Sequence, residues 1–114
     1  MFDFEKLIVY SKAKDFNKKV YTFLLSNELD RSTKDQLRRA SFSIMLNVAE
    51  GSGRFTKPDK RNFFIISRGS AFECVAIFDH LKDIGSLSNE AFTYFYNDLD
   101  ELSRMLFAMI KSLR

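Results

Sequence analysis

From Gln36 to Arg54 the chain reads QLRRASFSIMLNVAEGSGR, a run that cannot form an ordinary surface helix. At about 100° per residue, Gln36, Ser43, Asn47 and Glu50 fall within roughly 60° of one another as a narrow polar seam flanked by Arg39 and Ala40. Leu37, Ile44 and Val48 lie to one side of that seam, and Phe42, Met45, Leu46 and Ala49 to the other. A surface helix carries one apolar stripe and one wet face. Two stripes need two packing partners, so this helix is expected to bury one side in its own bundle and the other against something else.

The remaining segments read as helices of the same kind, with no sustained period-2 alternation to suggest strands. The first is expected over about 4–25, with Val9, Ala13, Phe16, Val20 and Phe23 inward and Lys12, Lys18 and Lys19 in solvent. Ser32-Thr33-Lys34-Asp35 has the form of a capping box with Asp for Glu, which starts the second helix near Thr33. That helix runs over 33–50 and ends at Gly51, whose freedom suits a left-handed terminus. Thr56-Lys57-Pro58-Asp59 repeats the start signal, with Pro58 in the first turn where its missing amide costs little.

The third helix, 57–84, closes at Gly85. Its inward stripe is read as Phe63, Ile66, Ser70, Cys74, Ile77, Phe78 and Leu81, with a second apolar patch of Phe64, Ile65, Phe72 and Val75. Ser88 caps the fourth helix, 89–113, whose stripe is Phe92, Phe95, Leu99, Leu102, Leu106, Met109 and Leu113. Short links force antiparallel neighbours. The fold class is therefore all-α: one domain over 1–114, an up-down-up-down antiparallel four-helix bundle. The apolar surplus on helices two and three implies a homo-oligomer. Its contact residues are taken to be Phe42, Met45, Leu46, Ala49, Phe64, Ile65 and Phe72, and two unlike patches suit a heterologous ring.

Composition narrows the setting. A single cysteine excludes an internal disulfide and suits a reducing compartment. No apolar run approaches the ~18 residues of a membrane span, and the N-terminus lacks the build of a signal peptide. A cytoplasmic protein without membrane partners is expected. The net charge is +3, unevenly spread: residues 31–68 carry nine Lys or Arg against three acids, whereas residues 69–114 carry four against seven. The basic segment is where a polyanion would bind.

Residues that would carry catalysis do not assemble in the sequence. Carboxylate-bridged metal bundles need Glu-x-x-His motifs on paired helices, but the one histidine, His80, has Ile77 three residues before it. Cys74 sits on the inward stripe as core filler, and Gly51-Ser52-Gly53 is too short for a phosphate-cradling loop. No enzyme activity, metal or cofactor is expected. What remains is nucleic-acid binding through Arg38, Arg39, Arg54, Lys57, Lys60, Arg61 and Arg68, with Phe55 available to stack on an unpaired base. The polar seam has two readings: residues satisfying one another, backbone groups or an arginine such as Arg39, Arg54 or Arg68, or the lining of a ligand site.

The chain also resembles the four-helix-bundle family associated with intervening sequences of 23S ribosomal RNA genes, the S23 family. The resemblance rests on Gln36-Leu37-Arg38-Arg39-Ala40, Ser43-Ile44, Asn47 through Gly51 (NVAEG), Gly53-Arg54 and Arg68-Gly69-Ser70. It departs at Met45-Leu46, where a proline is usual, and at Tyr10, where a tryptophan is usual. The resemblance implies a homopentamer arranged as a barrel. It also implies similarity to a basic accessory protein of diversity-generating retroelements, hence RNA or DNA, a reverse transcriptase or a ribosomal component as partners. The expected function is a non-enzymatic oligomeric bundle that binds nucleic acid, structured RNA above all, through the helix 2–loop–helix 3 surface. The alternative is a protein–protein interaction scaffold with no nucleic-acid role.

Overall fold

A computed structural model describes residues 1–114 as four helices and no strand: α1 (Ile8–Ser26), α2 (Arg31–Ser52), α3 (Lys57–Asp83) and α4 (Asn89–Ser112). Each helix lies beside two others, in the cyclic order α1, α2, α3, α4. The particle measures 44 × 25 × 21 Å, and its long axis is close to the ~40 Å that a helix of α3's length spans. The up-down-up-down arrangement follows from the short links. No helix is long and apolar enough to cross a membrane.

Several boundaries differ from the sequence reading, each for a local reason. The first helix begins at Ile8 and not near residue 4: Asp3–Lys6 forms a single 3₁₀ turn and Leu7 is extended. For α2 the cap is Asp30, whose carboxylate accepts from the Thr33 amide and hydroxyl. Ser32, Thr33 and Lys34 are therefore already inside the first turn, and Asp35 lies just beyond it. Those two hydrogen bonds hold the Asp30 carboxyl below the usual aspartate range. The cap is thus fully present above that range and is lost as pH falls through the lowered value.

At its other end α2 continues through Gly51 and Ser52 to a right-handed cap at Gly53. Gly51 is a helix residue and not a left-handed terminus. Thr56 and Ser88 cap α3 and α4 as their spacing predicts, each accepting from the amide three residues on. Gly85, at φ +79°, is the one residue in the left-handed region, where only glycine avoids a Cβ penalty.

The core centres on aromatic rings. Phe78 of α3 and Phe95 of α4 stack at 4.4 Å, Phe16 meets Phe95 edge-on, and Phe23 reaches across the bundle diagonal to Phe78. On α1 the inward row is Val9, Ala13, Phe16, Val20 and Leu24, with Phe23 half-buried beside it; on α4 it is Phe95, Leu99, Leu102 and Leu106.

On α3 the inward row is Phe64, Ser67, Ala71, Cys74, Phe78 and Leu81. This is rotated from the expected stripe, leaving Ile66 in solvent and Phe63 and Ser70 at the α2 edge. Small residues face inward here because α2 and α3 pack closely: the Ser67 hydroxyl donates to the Ile44 carbonyl at 2.7 Å. The α1–α4 seam is polar, with Lys19 on Asp98 at 2.8 Å and Lys12 on Glu101 at 3.0 Å. Both lysines therefore serve a helix pair and are not merely solvent-facing. The Asp98 hydrogen bond holds the Lys19 ammonium above its ordinary range.

Candidate nucleic-acid interface

The helix geometry separates the basic residues into two groups. Arg38 and Arg54 are sixteen positions apart, about 24 Å along a helix axis. One group stands at the bundle end where α2 passes to α3, the other along the first half of α2.

At the bundle end most cations already have work. Arg54 pairs with Glu50 at 2.8 Å and lies over the Phe63 ring at 4.5 Å. The Lys60 ammonium donates to the Ser52 carbonyl at 2.9 Å, and Arg61 donates to the Leu113 carbonyl at 2.7 Å. These two side chains satisfy the orphan carbonyls at the ends of α2 and α4, where the helix dipole favours positive charge. Lys57 and Phe55 are left free, and Phe55 is fully exposed. Further along α3, Arg68 donates to the Ser103 carbonyl at 3.3 Å, with its guanidinium over both Phe72 and Phe107.

The second group is more open. Arg38 pairs with Asp35 at 2.6 Å, but Arg31 and Arg39 are exposed and belong to no ion pair. They flank a groove of about 630 Å³ between α1 and α2, lined also by Asn17, Tyr21 and Phe42. Tyr21 and Arg31 were not singled out in the sequence. Tyr21 is three residues after Lys18 and seven after Lys14, so all three share one helix edge. That periodicity was visible, but only the α1–α2 register brings the edge beside Arg39.

The seam and the apolar patches also find places. Ser43 shares a hydrogen bond with Ser70 at 2.8 Å, and the Asn47 amide donates to the Ser43 carbonyl and hydroxyl at 2.9 Å each. Glu50 turns to Arg54, and Gln36 is exposed. Leu46 is exposed, Met45 and Ala49 are half-buried, and Phe42 forms a wall of the basic groove. Phe64 does not belong with the outer contact residues: it is 4% exposed and packs in the core. Ile65 and Phe72 are exposed beside Phe107 and Ile110 along the α3–α4 groove.

Cys74 lies in the core, and burial pushes its thiol up to about 12. Its thiolate fraction at pH 8 is then on the order of 10⁻⁴, against roughly a quarter for an ordinary thiol. Iodoacetamide at pH 8 is expected to leave the native protein unmodified over hours and to alkylate it fully in urea, as read by intact mass. Prompt labelling of the folded protein would contradict a sealed core. No three His, Cys, Asp or Glu side chains come together in a metal-holding group.

A family model described as 23S rRNA-intervening sequence protein matches residues 5–108. The fold is similar to a crystal structure from Bacteroides thetaiotaomicron, described as a protein with unknown function from the S23 ribosomal protein family. The TM-score is 0.85 at 23% identity, covering 91% of this chain and 99% of that one. No curated protein matches in sequence.

Proposed function

Because the chain belongs to the 23S rRNA-intervening sequence protein family, we propose that it is a non-enzymatic, homo-oligomeric helical bundle of the cytoplasm that binds nucleic acid, structured RNA above all. The surface is the outer face of α2 with the loop into α3. The observation that carries this reading is that Arg31, Arg39 and Lys57 on this surface are exposed and have no acidic partner, together with the exposed rings of Phe42 and Phe55. Phosphates reward such cations through counterion release.

Self-association, as the pentamer that the family resemblance implies, draws support from the α3–α4 face. Ile65, Phe72 and Phe107 are exposed along it. Gly69 sits in the middle of α3, where glycine costs about 1 kcal/mol relative to alanine. Nothing within 4 Å would meet a Cβ there. A close-packed second copy would account for both features, and a ring would multiply a modest basic patch by multivalency.

Binding of a labelled RNA stem-loop, titrated with salt, tests the reading. With about four phosphate contacts, affinity falls roughly 50-fold (loop contacts) to 150-fold (stem contacts) between 50 and 200 mM salt. The combined Arg39→Ala, Arg54→Ala and Lys57→Ala variant flattens that dependence. Absence of binding at 50 mM salt would remove the nucleic-acid role. Light scattering on the same sample should give a mass several times 13.3 kDa. One observation favours a protein scaffold instead: Arg38, Arg54, Lys60, Arg61 and Arg68 are all engaged inside the monomer. In that case the protein assembles but leaves RNA untouched.

A further inference from the structure

The α1–α2 groove combines features that neither the core nor helix capping uses. Asn17, in its lining, accepts from the buried Ser41 hydroxyl at 2.8 Å and so ties α1 to α2 there. Its walls carry two aromatic rings from different helices, Tyr21 at 53% and Phe42 at 46% exposure. Neither ring is stacked on another aromatic residue or lies under a cation. Arg31 and Arg39 line the groove without ion-pair partners, and outside its lining Lys14 and Lys18, on the Tyr21 edge of α1 by helical spacing, are exposed and equally unpaired. The one acid in the groove, Asp35, is already matched by Arg38.

Bare rings set among free cations fit a ligand that offers flat faces and negative charge together. An acidic peptide would use the cations and leave the rings wet. A duplex offers phosphates, but its base faces are hidden by stacking inside the helix. Unpaired nucleotides offer both, each base having a π-face for a ring and each phosphate a charge for an arginine or lysine. We propose that this groove holds an unpaired stretch of RNA, with bases stacked on Tyr21 and Phe42 and phosphates on Arg31, Arg39, Lys14 and Lys18. The inference rests on the nucleic-acid reading above and narrows it: a structured RNA would be engaged at a loop or bulge and not along its stem.

The test is fluorescence anisotropy at 100 mM salt with an unstructured ten-nucleotide RNA and a blunt duplex of the same sequence. Wild-type protein should bind the single strand at least about tenfold more tightly than the duplex. Tyr21→Ala should weaken single-strand binding about fivefold or more, and Tyr21→Ala with Phe42→Ala about 25-fold or more, with duplex binding unchanged. Tyr21→Phe should stay within about twofold of wild type. Both rings are exposed, so these changes spare the core; Tyr21 lies off the proposed self-association residues and decides the matter if Phe42→Ala alters the mass. Equal single-strand binding by wild type and the double variant, a preference for duplex, or displacement of RNA by polyglutamate as readily as by unlabelled RNA would overturn the proposal. Failure of wild-type protein to bind either RNA at 50 mM salt would instead defeat the broader nucleic-acid reading.

Discussion

Phe78→Ala is expected to lower the unfolding free energy by about 3–5 kcal/mol, the range for emptying a buried phenylalanine site. The ring is fully buried, stacks on Phe95 at 4.4 Å and meets Phe23 edge-on. Those neighbours come from two helices other than its own, so neither can collapse into the void without shifting a helix. A domain of this size has roughly 5–15 kcal/mol in hand, so the loss is a large share of the total. The midpoint of thermal unfolding should drop by about 10–20 °C. Phe72→Ala makes the contrast: its ring is 54% exposed, so the monomer should stay within about 0.5 kcal/mol of wild type. Urea titrations of both variants check this, and a Phe78→Ala loss below about 1 kcal/mol would mean that the aromatic cluster is not the core.

Gly51→Val is expected to cost about 3 kcal/mol, through overpacking and not through a cavity. A Cβ at Gly51 would stand 2.8 Å from a Phe64 ring carbon and 2.9 Å from the Phe63 Cβ. Turning a ring relieves the first contact, but the second is anchored directly to the α3 backbone. Relief therefore requires α2 and α3 to move apart, and such insertions typically cost about 1–3 kcal/mol. Valine's two further methyl groups put it at the upper end, against only a few tenths regained in helix propensity. Spreading the pair would also strain the Ser67–Ile44 and Ser43–Ser70 hydrogen bonds. Gly53→Ala is the control: its Cβ would meet only the Glu50 carbonyl, at an ordinary 3.6 Å, and its φ is −88°. That change should be neutral or stabilise by about 0.4–1 kcal/mol. Equal stability of Gly51→Val and wild type in urea would show that the helix pair is looser than described.

Gly51 also marks where local reading stops. Next to Ser52-Gly53, it looks like a helix terminus, because glycine's commonest service in a helical sequence is to end it. Here the glycine is inside the helix, and its reason is a phenylalanine thirteen residues away. The α3 inward row departs from its periodicity for a related cause. Periodicity puts the larger side chains Phe63 and Ile66 inward, while tertiary packing turns Ser67 and Ala71 in, since a close α2–α3 approach has room only for small groups. Phe64 moves from the outer contact residues to the core with the same rotation. The basic residues were legible as a cluster in number order, yet Lys60 and Arg61 turn to helix ends that no local motif advertises.

Sequence alone was sufficient for four helices, their antiparallel order, the caps at Thr56 and Ser88, the turn glycine at Gly85 and the inward row of α4. These depend on period, capping chemistry and link length, all of which act over a few residues. Tertiary structure alone decided which neighbour each cation serves, which face of α3 is inner, and that Tyr21 stands across a groove from Phe42. Those outcomes depend on the rotation and register of one helix against another, which are set by the summed packing of side chains far apart in the chain and are written in no single segment.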